Sequence, residues 1–154
     1  ITVDDNPDEI LIDSSNNIWV LSEGKTEYDS DWNVTGRTTA SLKKINSTTN
    51  TEEKSIIFPE GIDPKIITYD SGNIYFYANS KIYMMNEADE SLPENHLIQQ
   101  TVYKGLTVRN GYIYCTNSDF TLGEGELFIY DESSLNLVET ISLNVGSSKI
   151  YFNN

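Results

Sequence analysis

One cysteine and one histidine are all that this 154-residue chain offers of the two side chains most used for redox and metal chemistry. A lone Cys115 excludes a disulfide within the chain and a cysteine zinc cluster. A lone His96 excludes a histidine-rich metal site. Helix is scarce too: no window of eleven residues carries apolar side chains at i, i+3, i+4 and i+7 between capping residues. No apolar run approaches 18 residues and no basic-then-apolar leader is present, so the stretch is expected neither to cross a membrane nor to direct its own export. Any targeting signal is expected outside it. Basic residues are few, ten Lys and Arg against 24 Asp and Glu, for a net charge of -14. That surface repels phosphate backbones, which excludes nucleic acid as a partner. GxSxG, HExxH and phosphate-loop patterns are missing. GEGELF (123–128) leads into a strand and not a helix, so it has no nucleotide-binding mechanism behind it.

What the chain does have is β-sheet chemistry. Ten Tyr, five Phe and two Trp stand among many Ile, Thr, Asn and Ser, a mixture suited to pleated strands and tight turns. Three segments superimpose: ILIDSSNNIWVL (10–21), IITYDSGNIYFY (66–77) and LTVRNGYIYCT (106–116). Each is an apolar strand, a polar turn, and a second strand opening on Ile and an aromatic residue. A third strand follows, SLKKIN, KIYMMN or ELFIYD, and then a more amphipathic fourth, KSIIFP (54–59), HLIQQTVY (96–103) or LVETISLNV (137–145). KIYFN (149–153) reads as a fresh first strand.

Trp19 and Tyr75 lie 56 positions apart, and Tyr75 and Tyr114 lie 39 apart. Four strands recurring at this spacing predict an all-β fold, a β-propeller of four-stranded antiparallel blades. An ordinary β-sandwich is the competing architecture, but it has no reason to repeat an Ile-aromatic pair in register. The expected boundaries are about 9–60, 65–104 and 105–146 for three blades, with an extra first strand at 148–154. Three blades do not close a ring, so the remainder is expected from further sequence or from another chain.

The repeat resembles the YncE-like and YVTN-type propellers, in particular the Bacteroidetes surface proteins of the domain family of unknown function 5074. The resemblance is carried by NPDEILIDSSNNIWVLSEG, SLKKINSTTNTEEKSIIFPEG, NIYFYANSKIYMMN and GELFIYDESSLNLVETISLNVGSSKIYFN. It implies the C-terminal portion of a ring of about seven blades, on a lipoprotein of the cell surface or periplasm. One branch of that family captures vitamin B12 for an outer-membrane transporter.

Propeller ligands usually bind on the face where loops from strand two to strand three, and from strand four to the next strand one, converge on the central channel. GKTEYDSDWNVTGRTT (24–39) is such a loop, far longer than a turn needs, and NSDFTLGEGE (117–126) is its counterpart in the third repeat. In the second repeat the connection is only Asn79 and Ser80. Tyr28, Trp32 and Phe120 are aromatic residues in the long loops, where there is no core for them to join, and with Arg37 and Lys104 they form the candidate ligand site.

DSDWN places Asp29, Asp31 and Asn33 at alternate positions, the opening of a calcium loop, but Val34 and Ala40 stand where that loop needs Gly and Glu. No cofactor is therefore expected, and calcium is the one metal left open. His96 reads as an exposed edge residue and Cys115 as a packed small hydrophobe. Among 24 acids no pair stands out for glycoside hydrolysis. The expected function is non-enzymatic capture of a small molecule, such as a corrinoid, or of a glycan. The alternatives are a metal-dependent enzyme of the lactonase or lyase type and a scaffold for an outer-membrane protein.

Overall fold

A computed structural model describes residues 1–118, 121 and 123–153 of the chain. It is a β-propeller segment with three four-stranded antiparallel blades and no helix among the described residues. The first blade comprises β1 (Pro7–Ile12), β2 (Ile18–Ser22), β5 (Ser41–Asn46) and β6 (Thr51–Ile57). A separate ribbon, β3 (Thr26–Tyr28) and β4 (Val34–Arg37), rises between its second and third strands. The second blade is β7 (Pro64–Asp70), β8 (Asn73–Ala78), β9 (Lys81–Asn86) and β10 (Ile98–Gln99). The third is β11 (Gly105–Arg109), β12 (Tyr112–Ser118), β13 (Gly125–Asp131) and β14 (Leu137–Leu143).

Local chemistry sets the turns. Asn79 and Ser80 join β8 to β9 with φ of 49° and 61°, and Asn110 and Gly111 join β11 to β12 with φ of 53° and 79°. Two left-handed residues in succession match the right-handed twist of the flanking strands, and Asn and Gly adopt that conformation at the lowest cost.

The second blade shows why NIYFYA is apolar on both faces. Side chains alternate across a strand, so Ile74, Phe76 and Ala78 face the first blade, where they join Trp19, Leu21, Leu42 and Phe58. Tyr75 faces the other way, into a cluster with Ile113, Cys115 and Tyr130 of the third blade. Phe76 lies between two rings, edge-on to Phe58 at 5.4 Å and stacked on Tyr83 at 5.0 Å. The faces turned away from the second blade are less covered, and Ile10 and Ile12 of the first blade are 66% and 61% exposed.

Three segments differ from their sequence reading. The stretch 24–39 is not an open loop, because it folds as the ribbon β3–β4. The segment 96–103 pairs as a strand only at Ile98 and Gln99. By Tyr103 the backbone N–H already donates to Thr116 of the third blade, at 2.7 Å, so the chain has left its own sheet. Residues 149–153 carry no ladder. They pack through side chains, with Phe152 edge-on to Tyr114 at 5.0 Å and the Arg109 guanidinium 4.9 Å from the Phe152 ring.

Candidate functional site

The β3–β4 ribbon and the connection from β6 to β7 stand on one face of the propeller and enclose a cleft of about 740 Å³. The two kinds of loop expected to share a face do so here. Gly24 lets the ribbon close at its base. Its φ is 73°, and a Cβ there would sit 2.3 Å from the Thr38 carbonyl oxygen, so no other residue fits without moving the opposite arm. Beside it, the Lys25 and Thr38 backbones pair, and the Thr38 hydroxyl accepts from the Lys25 N–H at 2.9 Å.

Charge lines the cleft in matched sets. The Lys65 ammonium meets Glu23 at 3.0 Å and Asp63 at 2.9 Å. Burial pulls Lys65 down, but the Asp63 and Glu23 carboxylates more than offset it and hold its pKa above the ordinary lysine value. Lys25 lies 3.4 Å from Asp5 and 3.7 Å from Glu27. Arg37, at the end of β4, and Glu60, in the connection opposite, also line the cleft. Among the described residues their side chains make no hydrogen bond or ion pair.

At the other end of the ribbon is its aromatic tip. In the register of β3 and β4, Thr26 lies opposite Arg37 and Tyr28 opposite Val34, which places Arg37, Thr26, Val34 and Tyr28 on one face from base to tip. Trp32 is 79% exposed and Tyr28 52%, and their ring centroids are 5.9 Å apart.

The tip turn, DSDWN, has an internal counterpart in DSSNN, the β1–β2 turn. Asp29 Oδ1 accepts from the N–H groups of Asp31 and Asn33, both at 2.9 Å, as Asp13 Oδ1 accepts from Ser15 and Asn17 at 2.9 and 2.8 Å. The Asn33 side chain donates to Asp29 Oδ2 at 3.0 Å, and that of Asn17 to Asp13 Oδ2 at 3.2 Å. Backbone bonds match as well, Asp29 to Asn33 and Asp13 to Asn17, each at 3.0 Å. The fourth residue is left-handed in both turns, Asn16 at 62° and Trp32 at 63°. Asparagine tolerates that conformation, whereas a bulky side chain there is strained by about 1 kcal/mol or more. The chain thus contains the cheaper solution and places a tryptophan in the same turn elsewhere.

Trp32→Asn is accordingly expected to keep the fold and to raise unfolding stability by about 0.5–1 kcal/mol, read from urea denaturation. A loss above about 1 kcal/mol would show that the indole packs on the protein, contrary to its exposure.

The five residues expected to form one site are divided by the structure. Arg37 lines the cleft, Tyr28 and Trp32 form the tip of the same ribbon, and Phe120 lies outside the described residues. Lys104 lies apart. It lines a cavity of about 200 Å³ with Glu9 of β1, Ile66 of β7 and Lys149, and its ammonium stands 5.9 Å from the Tyr103 ring. In DSDWN the Asp29 oxygens accept from N–H donors. The Asn33 amide, with the backbone N–H groups of Asn33 and Asp31, holds that carboxyl below the ordinary aspartate value. Among the described residues no group of three or more His, Cys, Asp or Glu side chains converges to hold a metal. His96 is exposed, and its ring stands 6.3 Å from that of Tyr83 at a steep angle of 69°. Cys115 is buried, and burial pushes its thiol up to about 12.

Sequence reading missed Glu23, Glu60, Asp63 and Lys65. For Glu60 and Asp63 the signal was present, since FPEGIDP (58–64) joins a fourth strand to the next first strand and so belongs on the ligand face, with Lys65 directly after it.

No profile of a known protein family matches the chain, and no curated protein matches it. Among solved structures it is similar to dihydro-heme d1 dehydrogenase NirN in complex with DHE, at 13% sequence identity and a TM-score of 0.51. The likeness takes in 94% of this chain and 39% of that one. At that identity it speaks to the fold alone, the β-propeller.

Proposed function

We propose that this chain is part of a non-enzymatic binding propeller of a bacterial cell surface or periplasm, akin to the YncE-like proteins it resembles. It captures a small molecule or a glycan on the face built by the β3–β4 ribbon and the β6–β7 connection. A corrinoid is one candidate, through the family resemblance. The observation that carries this reading is Trp32, an exposed indole held in a strained turn that elsewhere in the chain takes asparagine. Strain repaid within the chain only by the neighbouring Tyr28 ring points to an external contact. The indole and Tyr28 supply apolar contact area, and the cleft at the ribbon's base supplies the polar groups that orient a ligand.

Titration of the intact protein with cyanocobalamin and with a panel of glycans, followed by calorimetry, tests it. Saturable binding of one of them is expected, weakened at least about tenfold in Trp32→Asn. Equal affinity in wild type and variant removes the tip from the site. Absence of binding across the whole panel, and of the peptides described below, overturns the reading.

A further inference from the structure

We propose that the cleft selects an ampholyte, binding a carboxylate on Arg37 and a cationic group beside Glu60. The ligand class is that of amino acids and short peptides with free ends. This rests on the binding reading above and assigns the chemistry of its polar end.

The inference follows from which charges in the cleft are satisfied. Three cations line it, Lys25, Arg37 and Lys65, and three of its lining residues are anions, Glu23, Glu60 and Asp63, so its formal charge is zero. Lys65 is held by Glu23 and Asp63, and Lys25 by Asp5 and Glu27. What remains is one guanidinium on the ribbon and one carboxylate on the facing connection. A guanidinium presents its donors as a rigid fork that matches a carboxylate in two parallel hydrogen bonds, a geometry that a lysine does not reproduce. Glu60 accepts from an ammonium group. A cleft that is neutral overall but polarised between its walls complements a molecule with the same property.

The rest of the chain sharpens the choice. With a net charge of -14, its field opposes any ligand that brings excess negative charge. A dicarboxylate or a phosphate gains Arg37 but meets that field and the Glu60 carboxylate. A zwitterion gains both ends. The cleft volume of about 740 Å³ lies within the range of sites that enclose ligands of drug size, which a tripeptide matches.

Three peptides of one shape test this: trialanine, its C-terminal amide and its N-acetyl form, each titrated calorimetrically into the intact protein at low salt. Trialanine is expected to bind most tightly. Amidation removes the carboxylate and should weaken binding roughly tenfold, and acetylation should weaken it more, because that product is an anion. Arg37→Ala should abolish the preference for a free carboxylate, and Glu60→Gln the preference for a free amine. Both side chains are exposed, so neither change reaches the core. Equal affinity for the three peptides, the wild-type order persisting in Arg37→Ala, or no binding of any peptide overturns the proposal. Peptide silence with Trp32-dependent binding of a glycan or corrinoid would sink the ampholyte alone. Silence toward every probe would sink the binding reading with it.

Discussion

Trp19→Ala is expected to lower the unfolding free energy by about 3–5 kcal/mol, measured by urea denaturation followed by far-ultraviolet circular dichroism. Trp19 is fully buried on the second strand of the first blade. It belongs to the cluster that joins this blade to the next, with Leu21, Leu42, Phe58 and Phe76. Truncation removes a large apolar surface from both sheets at once and leaves a cavity that rigid backbone ladders cannot collapse to fill. It also removes a polar contact, since the indole N–H donates to Asp13 Oδ2 at 3.1 Å. Trp19→Phe separates these contributions. It keeps most of the packing and loses the hydrogen bond, so a smaller cost of about 1–2 kcal/mol is expected. A loss below 1 kcal/mol in the alanine variant would mean that the first two blades do not share a core.

The second large effect is at Asp13, whose carboxylate ties the β1–β2 turn to that tryptophan. It accepts from the backbone N–H groups of Ser15 and Asn17, from the Asn17 amide and from the Trp19 indole, and the Lys44 ammonium lies 3.6 Å away. Asp13→Ala strands the buried Asn17 and Trp19 donors, at an expected cost of about 3 kcal/mol. Burial by itself would push the Asp13 carboxyl up, but the Asn17 and Trp19 donors outweigh it and hold the folded-state pKa below the ordinary aspartate value. A group with a depressed folded pKa stabilises fully above its unfolded value, and that contribution fades as pH falls through the folded one. The stability gap between wild type and Asp13→Asn should therefore be widest above about pH 5 and narrow steadily below about pH 4. A gap that does not change with pH would show that this carboxylate gains nothing from its ionised form.

The two turns of the DxxxN pattern mark how far sequence reading reaches. DSSNN and DSDWN are visibly alike, yet the likeness becomes informative only once both fourth residues are seen at the same left-handed φ. Only then does Trp32 stand out as the costlier occupant. The ribbon that carries it was hidden for a different reason. Thr26, Glu27, Tyr28, Val34, Thr35, Gly36 and Arg37 form strands that are intermediate or exposed along their length. Alternation of apolar and polar residues arises where one face of a strand is buried, and this ribbon has no buried face. The cleft charges were legible as residue types, but their pairing was not. Glu23 and Lys65 are 42 positions apart in the chain and meet at 3.0 Å because adjacent blades bring β2 and β7 together.

The blades themselves were determined by sequence. Period-two alternation, an Ile-aromatic pair repeated in register and Asn-Gly or Asn-Ser turns act over a few residues, so the information for each sheet lies within one stretch of chain. Tertiary structure alone decided the division of the candidate residues. It placed Arg37 in the cleft and the aromatic pair at the tip, and it set Lys104 apart on another cavity. It also left Arg37 and Glu60 without side-chain partners among the described residues while neutralising the lysines around them. Those outcomes depend on how neighbouring blades pack, and so on distances between segments that no local pattern encodes.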